Sequence, residues 1–158
     1  MQANLPAQPT VSRVEIPKFM GRWYVIASIP TIFEKQATNA VETYTWNESY
    51  HRIDVDFRFN KGRVDGPMKR IPQTGFIHDP KSNAEWRIRP FWPLSFVYLI
   101  VELASDYSDT MIGVPSRKHV WIMAREPRMN ETRYNDLVAK AQALGYDISK
   151  LKKVPHVV

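Results

Sequence analysis

Gly113-Val-Pro-Ser-Arg-Lys-His-Val-Trp-Ile-Met-Ala-Arg-Glu-Pro127 reads as a turn followed by an alternating strand that ends in an arginine and a proline. From His119, every second side chain (His119, Trp121, Met123, Arg125) points one way, while Val120, Ile122 and Ala124 point the other. A strand apolar on both faces must be covered on both. One cover is the rest of a sheet, and the other is the amphipathic segment that follows. Far upstream, Gly21-Arg22-Trp23-Tyr24 opens another alternating strand.

Working outward, eight segments read as strands: roughly 21–30, 40–47, 51–59, 67–78, 84–90, 95–103, 108–114 and 117–125. The third is the clearest, with Ile53, Val55, Phe57 and Phe59 alternating with Asp54, Asp56 and Arg58. Asn60-Lys-Gly62 and Asp79-Pro-Lys-Ser-Asn83 supply hairpin turns. Hairpin-length connections without intervening helices predict an antiparallel meander, and a meander of eight strands hides its edges best by closing into a barrel. One helix comes last. Asn130 is its N-cap, Tyr134, Leu137, Val138, Ala141 and Leu144 form its apolar stripe, and Gly145 stops it. The stripe is expected on the barrel wall against Val120, Ile122 and Ala124. The fold class expected is therefore all-β, an eight-stranded antiparallel up-and-down barrel with one C-terminal α-helix on its wall. Residues 1–13, rich in Pro, Gln and Ala, are expected to be a flexible tether, and residues 14–158 the domain.

The 158 residues suffice for a single substantial core, and 44% hydrophobic against 24% charged residues argues against a disordered chain. The net charge of +6 favours anionic partners. Its basic residues are scattered along strands and loops, without a basic helix or an RNA-binding signature, so no nucleic-acid partner is expected. The absence of cysteine removes disulfides, thiolate catalysis and Cys-based zinc sites together. The longest apolar run, Phe96–Val101, is too short to span a bilayer as a helix. Met1–Thr10 lacks the basic and apolar regions of a signal peptide, which fits a mature form separated from its targeting segment.

With these elements placed, the chain resembles the lipocalins. Gly21-x-Trp23, Ser105-Asp106-Tyr107 and Arg125 match that family's three sequence blocks in order. Met20-Gly-Arg-Trp-Tyr-x-Ile-Ala27, Gly113-x-Pro-Ser-Arg117, Trp121-Ile-x-x-Arg-x-Pro127 and Gly145-Tyr-Asp-Ile-Ser-Lys150 are similar to bacterial outer-membrane lipocalins, plant temperature-induced lipocalins and apolipoprotein D. An up-and-down meander returns all three blocks to one closed end. Arg125 can then lie over the Trp23 indole, a cation–π contact worth about 0.5–2 kcal/mol. Gly21, Trp23, Asp106, Tyr107 and Arg125 are accordingly read as structural rather than catalytic.

Function is expected inside the barrel and at its open end. Counting in twos from Trp23 and Arg125 turns Val25, Ala27 and Ile29 inward on the first strand, with His119 and Trp121 on the eighth. Ile53, Val55 and Phe57 are expected inward from the third strand, Trp86 and Ile88 from the fifth, and Leu99 and Val101 from the sixth. The family pattern turns Tyr44 inward, and Glu42 and Ala40 with it. Such a mostly apolar interior suits a slim hydrophobic ligand. The resemblance implies a fatty acid or a lysophospholipid. Two departures stand out: Val25 replaces the glutamate common after the Trp-Tyr pair, and Glu42 stands where relatives often have a small residue. An acid facing an apolar interior must pair or protonate, unless a register shift of one turns it outward. Around the mouth, Ile32, Phe33, Phe91 and Trp92, with Lys35, Arg63, Arg89 and Arg117, suit either a lid or a membrane-docking rim that meets a lipid headgroup.

The reading is therefore a lipid-binding carrier, not an enzyme, with a role in membrane maintenance or lipid transport. No cofactor and no metal are expected, and the chain is expected to be a monomer or weak homodimer. Its expected location is the periplasm or outer membrane, anchored through a lipidated cysteine outside this sequence. The alternatives are an interaction module acting through the mouth loops, a lipocalin-fold enzyme using Glu42, Tyr44 or His119, and a haem binder using His119.

Overall fold

The computed structural model describes residues 5–157. Eight strands form the wall: β1 Gly21–Ile29, β2 Ala37–Asn47, β3 Arg52–Lys61, β4 Met68–Ile77, β5 Glu85–Arg89, β6 Phe96–Leu103, β7 Asp109–Gly113 and β8 Val120–Ala124. Each pairs antiparallel with the next, β8 pairs with β1, and β1 pairs with β2 through Gly21–Tyr24, so the sheet closes. The meander and closure expected from the alternating segments are both present. A short ninth strand, β9 Lys152–Lys153, pairs with β1 at Ala27 and Ser28, beyond the stretch where β1 pairs with β2. The chain after it fills that gap: Val154 N donates to Ile26 O and Asn39 N donates to Pro155 O.

Helix α1, Ile16–Phe19, was not evident in the sequence because its four residues are too few to show a period. It caps the closed end, where the Phe19 ring meets Trp23, Tyr44 and Trp86 at centroid distances of 5.1, 5.6 and 5.5 Å. Trp23 Nε1 donates to Phe19 O at 2.8 Å, leaving the buried indole satisfied. Gly21 has φ +103°, and a Cβ there would stand 3.3 Å from an Arg125 guanidinium nitrogen, so both its backbone and its surroundings favour glycine.

Helix α2, Glu131–Ala143, begins where expected: the Asn130 side chain accepts from Thr132 N and Arg133 N. Leu137 and Ala141 are fully buried against Val120, Ile122, Ala124, Met111 and Val101. Arg133 adds a two-pronged pair with Asp109 on β7, at 2.9 and 2.8 Å. The helix therefore covers the outer face of β6–β8 and leaves the interior to the other core cluster.

The N-terminal stretch differs from the loose tether expected over residues 1–13. Residues 1–4 lie outside the described residues. From Pro6 onward the chain is fastened to the barrel: Arg117 donates to Pro6 O, Gln8 Nε2 donates to Val114 O, Tyr146 Oη donates to Gln8 Oε1, and Val11 N donates to Ile100 O. Gln8 is buried. Composition suggested looseness, but these long-range bonds give the segment a single path.

Candidate functional site

A cavity opens between the mouth loops and runs down to the aromatic floor. Of the residues expected to line it, Glu42, Tyr44, Val55, Phe57, Ile88, His119 and Trp121 do so. Ile53 also points inward but lies below, buried in the packed base. Trp86 stacks on Tyr98 with centroids 4.7 Å apart and rings within 5° of parallel, forming the floor.

Four expected lining residues face the other way. Ala27 lies opposite Ile122 and Ile29 opposite Val120, and residues directly opposite in an antiparallel ladder share a face. Ile122 and Val120 both pack under α2, so Ala27 and Ile29 point outward. The cause is a β-bulge between Val25 and Ala27, which breaks the count in twos. Leu99 and Val101 also pack under α2, whereas Tyr98 and Ile100 belong to the interior. The run Phe96–Val101 is apolar on both faces, so alternation carried no phase there.

At the rim, Phe33 lines the cavity and meets Phe91 edge-on at 6.0 Å. Trp92 is 92% exposed and Ile32 75% exposed. Arg63 projects into solvent with Asp65 beside it at 2.9 Å. Arg89 lies outside, over the Phe76 ring at 4.6 Å, instead of facing the cavity. Arg117 is not a free mouth cation at all. It is buried, and it donates to the carbonyls of Leu144, Pro115 and Pro6 at 2.9, 2.8 and 2.7 Å. The structural residues gather at the closed end: Arg125 lies over Trp23, Tyr107 Oη accepts from Glu15 N, and Asp106 accepts from Ser108 N.

The cavity's polar groups form one connected set. Tyr44 Oη donates to Glu42 Oε2 at 3.2 Å and lies 2.8 Å from Tyr98 Oη. Glu34, from the loop between β1 and β2, bends in and accepts from Trp121 Nε1 at 2.8 Å and Thr31 N at 3.0 Å. Burial and the nearby Glu34 carboxylate push Glu42 up to about 8, against a weaker downward pull from the Tyr44 hydroxyl. Burial also raises Glu34, partly offset by its donors, and raises the Tyr44 and Tyr98 phenols well above their ordinary range. Sequence reasoning missed Glu34, Tyr98, Ile71 and Gln73. Tyr98 was hidden by the phase error in β6, and Glu34 sits on a loop where no periodicity exists. His119 Nδ1 lies 3.3 Å from Ile29 O, a backbone contact. Among the described residues, no three His, Asp or Glu side chains converge as a metal site would require.

The closed eight-stranded barrel with one helix is the fold of known proteins as well. The lipocalin-like domain family matches residues 14–156. The chain belongs to the lipocalin family. Lipocalins are mostly binding or carrier proteins for small hydrophobic ligands. Temperature-induced lipocalin-1 of Arabidopsis thaliana is 36% identical over 155 residues, covering 92% of this lipocalin and 81% of the relative. Outer membrane lipoprotein Blc of Escherichia coli (strain K12) is 22% identical over 140 residues, covering 89% and 78%. Among solved structures, insecticyanin from the tobacco hornworm Manduca sexta superposes with a TM-score of 0.69 at 18% identity, covering 95% of this lipocalin and 85% of that chain. That likeness is one of fold.

Proposed function

We propose that this lipocalin is a carrier that holds one slim amphiphile in its barrel and exchanges it at a membrane surface. The cavity carries the reading: Val55, Phe57, Ile71, Ile88 and Phe96 wall a space that opens at the mouth. Its free volume is about 80 Å³, room for roughly three water-sized groups at ~30 Å³ each. Three buried methylenes would release about 2.4 kcal/mol at ~0.8 kcal/mol each, before ordering costs. Micromolar binding needs about 8 kcal/mol, so a ligand must also use the rim or displace Phe33.

A fatty acid or lysophospholipid, the ligands the sequence resemblance implies, fits this shape with its tail inward. Its headgroup would lie among the mouth loops near Lys35. The exposure of Ile32 and Trp92 supports a rim that touches a membrane, since a closed lid would bury them. A role in membrane maintenance or lipid transport at a bacterial outer membrane belongs to the same proposal, supported by the bacterial relatives named as outer membrane lipoproteins.

Native mass spectrometry and lipid extraction of the purified protein, followed by tryptophan-quenching titrations, test the carrier reading. Trp121 lines the cavity and reports on its contents. A co-purified or micromolar lipid, displaced by Val55→Trp without unfolding, is the expected result. An empty barrel indifferent to fatty acid and lysophospholipid alike overturns it.

A further inference from the structure

A tail-inward fatty chain leaves the polar groups of the cavity without a ligand partner. Two carboxylates, Glu42 and Glu34, line it beside the Tyr44–Tyr98 hydroxyl pair. Among the described lining residues there is no lysine or arginine, and His119 is the one basic side chain. Glu42 takes a single hydrogen bond, at 3.2 Å, although it has two carboxylate oxygens and faces a largely apolar cavity. A methyl terminus placed there would leave the acid poorly partnered, and a carboxylate headgroup would meet two acids.

We propose that the cavity selects a ligand whose inner end is a protonated amine on an apolar body, seated against Glu42, Glu34 and the Tyr44–Tyr98 hydroxyls. The proposal rests on the carrier reading and names its ligand class. An ammonium has three donors and no acceptor, which matches a floor of carboxylate and hydroxyl oxygens. Val55, Phe57 and Ile88 then cover the apolar body on its way to the mouth. The protein's overall charge of +6 works against such a preference, so any preference for an amine must arise inside the barrel.

The pH dependence follows from the groups facing Glu42: Glu34 from the loop, Tyr44 on β2, Tyr98 on β6 and His119 before β8. The lining residues of β3, β4 and β5, namely Val55, Phe57, Ile71, Gln73 and Ile88, carry no charge. In the empty cavity Glu42 holds a proton until the pH reaches about 8. An arriving ammonium displaces that proton, so amine affinity rises with pH until Glu42 ionises unaided. A carboxylate ligand moves the opposite way, and a neutral alcohol changes little.

Isothermal titration with decylamine, decan-1-ol and decanoate at pH 6, 7 and 8 separates the cases. The expected result is decylamine at least ~10-fold tighter than decanoate at pH 8, with amine affinity rising about tenfold or more from pH 6. Glu42→Gln should bring the amine to within ~3-fold of decan-1-ol, and Glu34→Gln should reduce the preference in the same direction. The pH series on the unaltered protein keeps the test valid if either variant folds poorly. Decan-1-ol binding with no preference for the amine, or with decanoate tightest, overturns the selection and leaves the carrier reading standing. Failure of all three to bind overturns both.

Discussion

The Arg125 guanidinium carbon lies 3.8 Å from the centre of the Trp23 ring, and its nitrogens donate to the carbonyls of Lys18, Phe19, Met20 and Arg22 at 2.8–3.1 Å. One side chain thus ties the end of β8 to α1 and to the start of β1. Arg125→Lys keeps the charge but loses the planar fork that reaches several carbonyls at once. Urea denaturation should show a loss of about 2–3 kcal/mol for Arg125→Lys, and more for Arg125→Ala. Ligand affinity of the folded fraction should not change, because Arg125 does not line the cavity. Lysine restoring full stability would contradict this account.

Glu42 makes stability depend on pH in the sense opposite to most carboxylates. Its folded-state value, about 8, lies above the ordinary carboxylate value near 4.5 expected in the unfolded chain. Between those two pH values the folded state binds more protons, so unfolding free energy falls as pH rises through the window. The effect is at most a few kcal/mol, at ~1.4 kcal/mol per pKa unit. Melting temperature should decline from pH 5 to pH 8, and Glu42→Gln should flatten that decline. A steeper decline in Glu42→Gln would place the penalty elsewhere.

The fold was legible because its strands alternate, its turns are short and its helix carries a cap, a stripe and a stop. Site residues were legible only where the phase was fixed by chemistry: β3 alternates Ile53, Val55 and Phe57 with charges, and Trp121 follows from Arg125 by twos. On β1 the count failed at the bulge after Val25, and on β6 both faces are apolar. A pair of truncations tests the corrected register. Leu99→Ala, beneath α2, should cost about 2–4 kcal/mol and leave ligand affinity alone. Phe57→Ala should weaken binding, because Phe57 lines the cavity. Loss of affinity in Leu99→Ala, measured on folded protein, would return β6 to the register read from sequence.

Ile32 and Trp92 project from neighbouring mouth loops, while Phe33 and Phe91 beside them hold each other edge-on. Of the inner pair Phe33 lines the cavity, while Ile32 and Trp92 face solvent. Co-sedimentation with vesicles containing anionic lipid should fall several-fold in Trp92→Ala and further in the double variant with Ile32→Ser. Tryptophan-quenching titrations with a soluble short-chain ligand should be unaffected. Equal sedimentation of variant and parent protein would remove these two side chains from any membrane-facing role.

Arg117 holds φ +60° and spends its guanidinium on three carbonyls, one of them from Pro6 in the N-terminal stretch. Next to it, Tyr146 Oη accepts from Val114 N and donates to Gln8 Oε1, so the N-terminal strap is fixed at two adjacent points. Arg117→Ala removes the donor and leaves the Leu144 and Pro6 carbonyls to water. Since hydrogen bonds from a charged group contribute about 1.5–3 kcal/mol and solvent can replace part of that, a stability loss of about 1–2 kcal/mol is expected. The local consequence should exceed the global one, with limited proteolysis cutting residues 5–13 many times faster in Arg117→Ala than in the parent protein. Tyr146→Phe should act in the same direction, more weakly. An unchanged cleavage rate would mean that Val11 N bonded to Ile100 O, together with Arg13 bonded to Lys81 O, suffices to hold the strap.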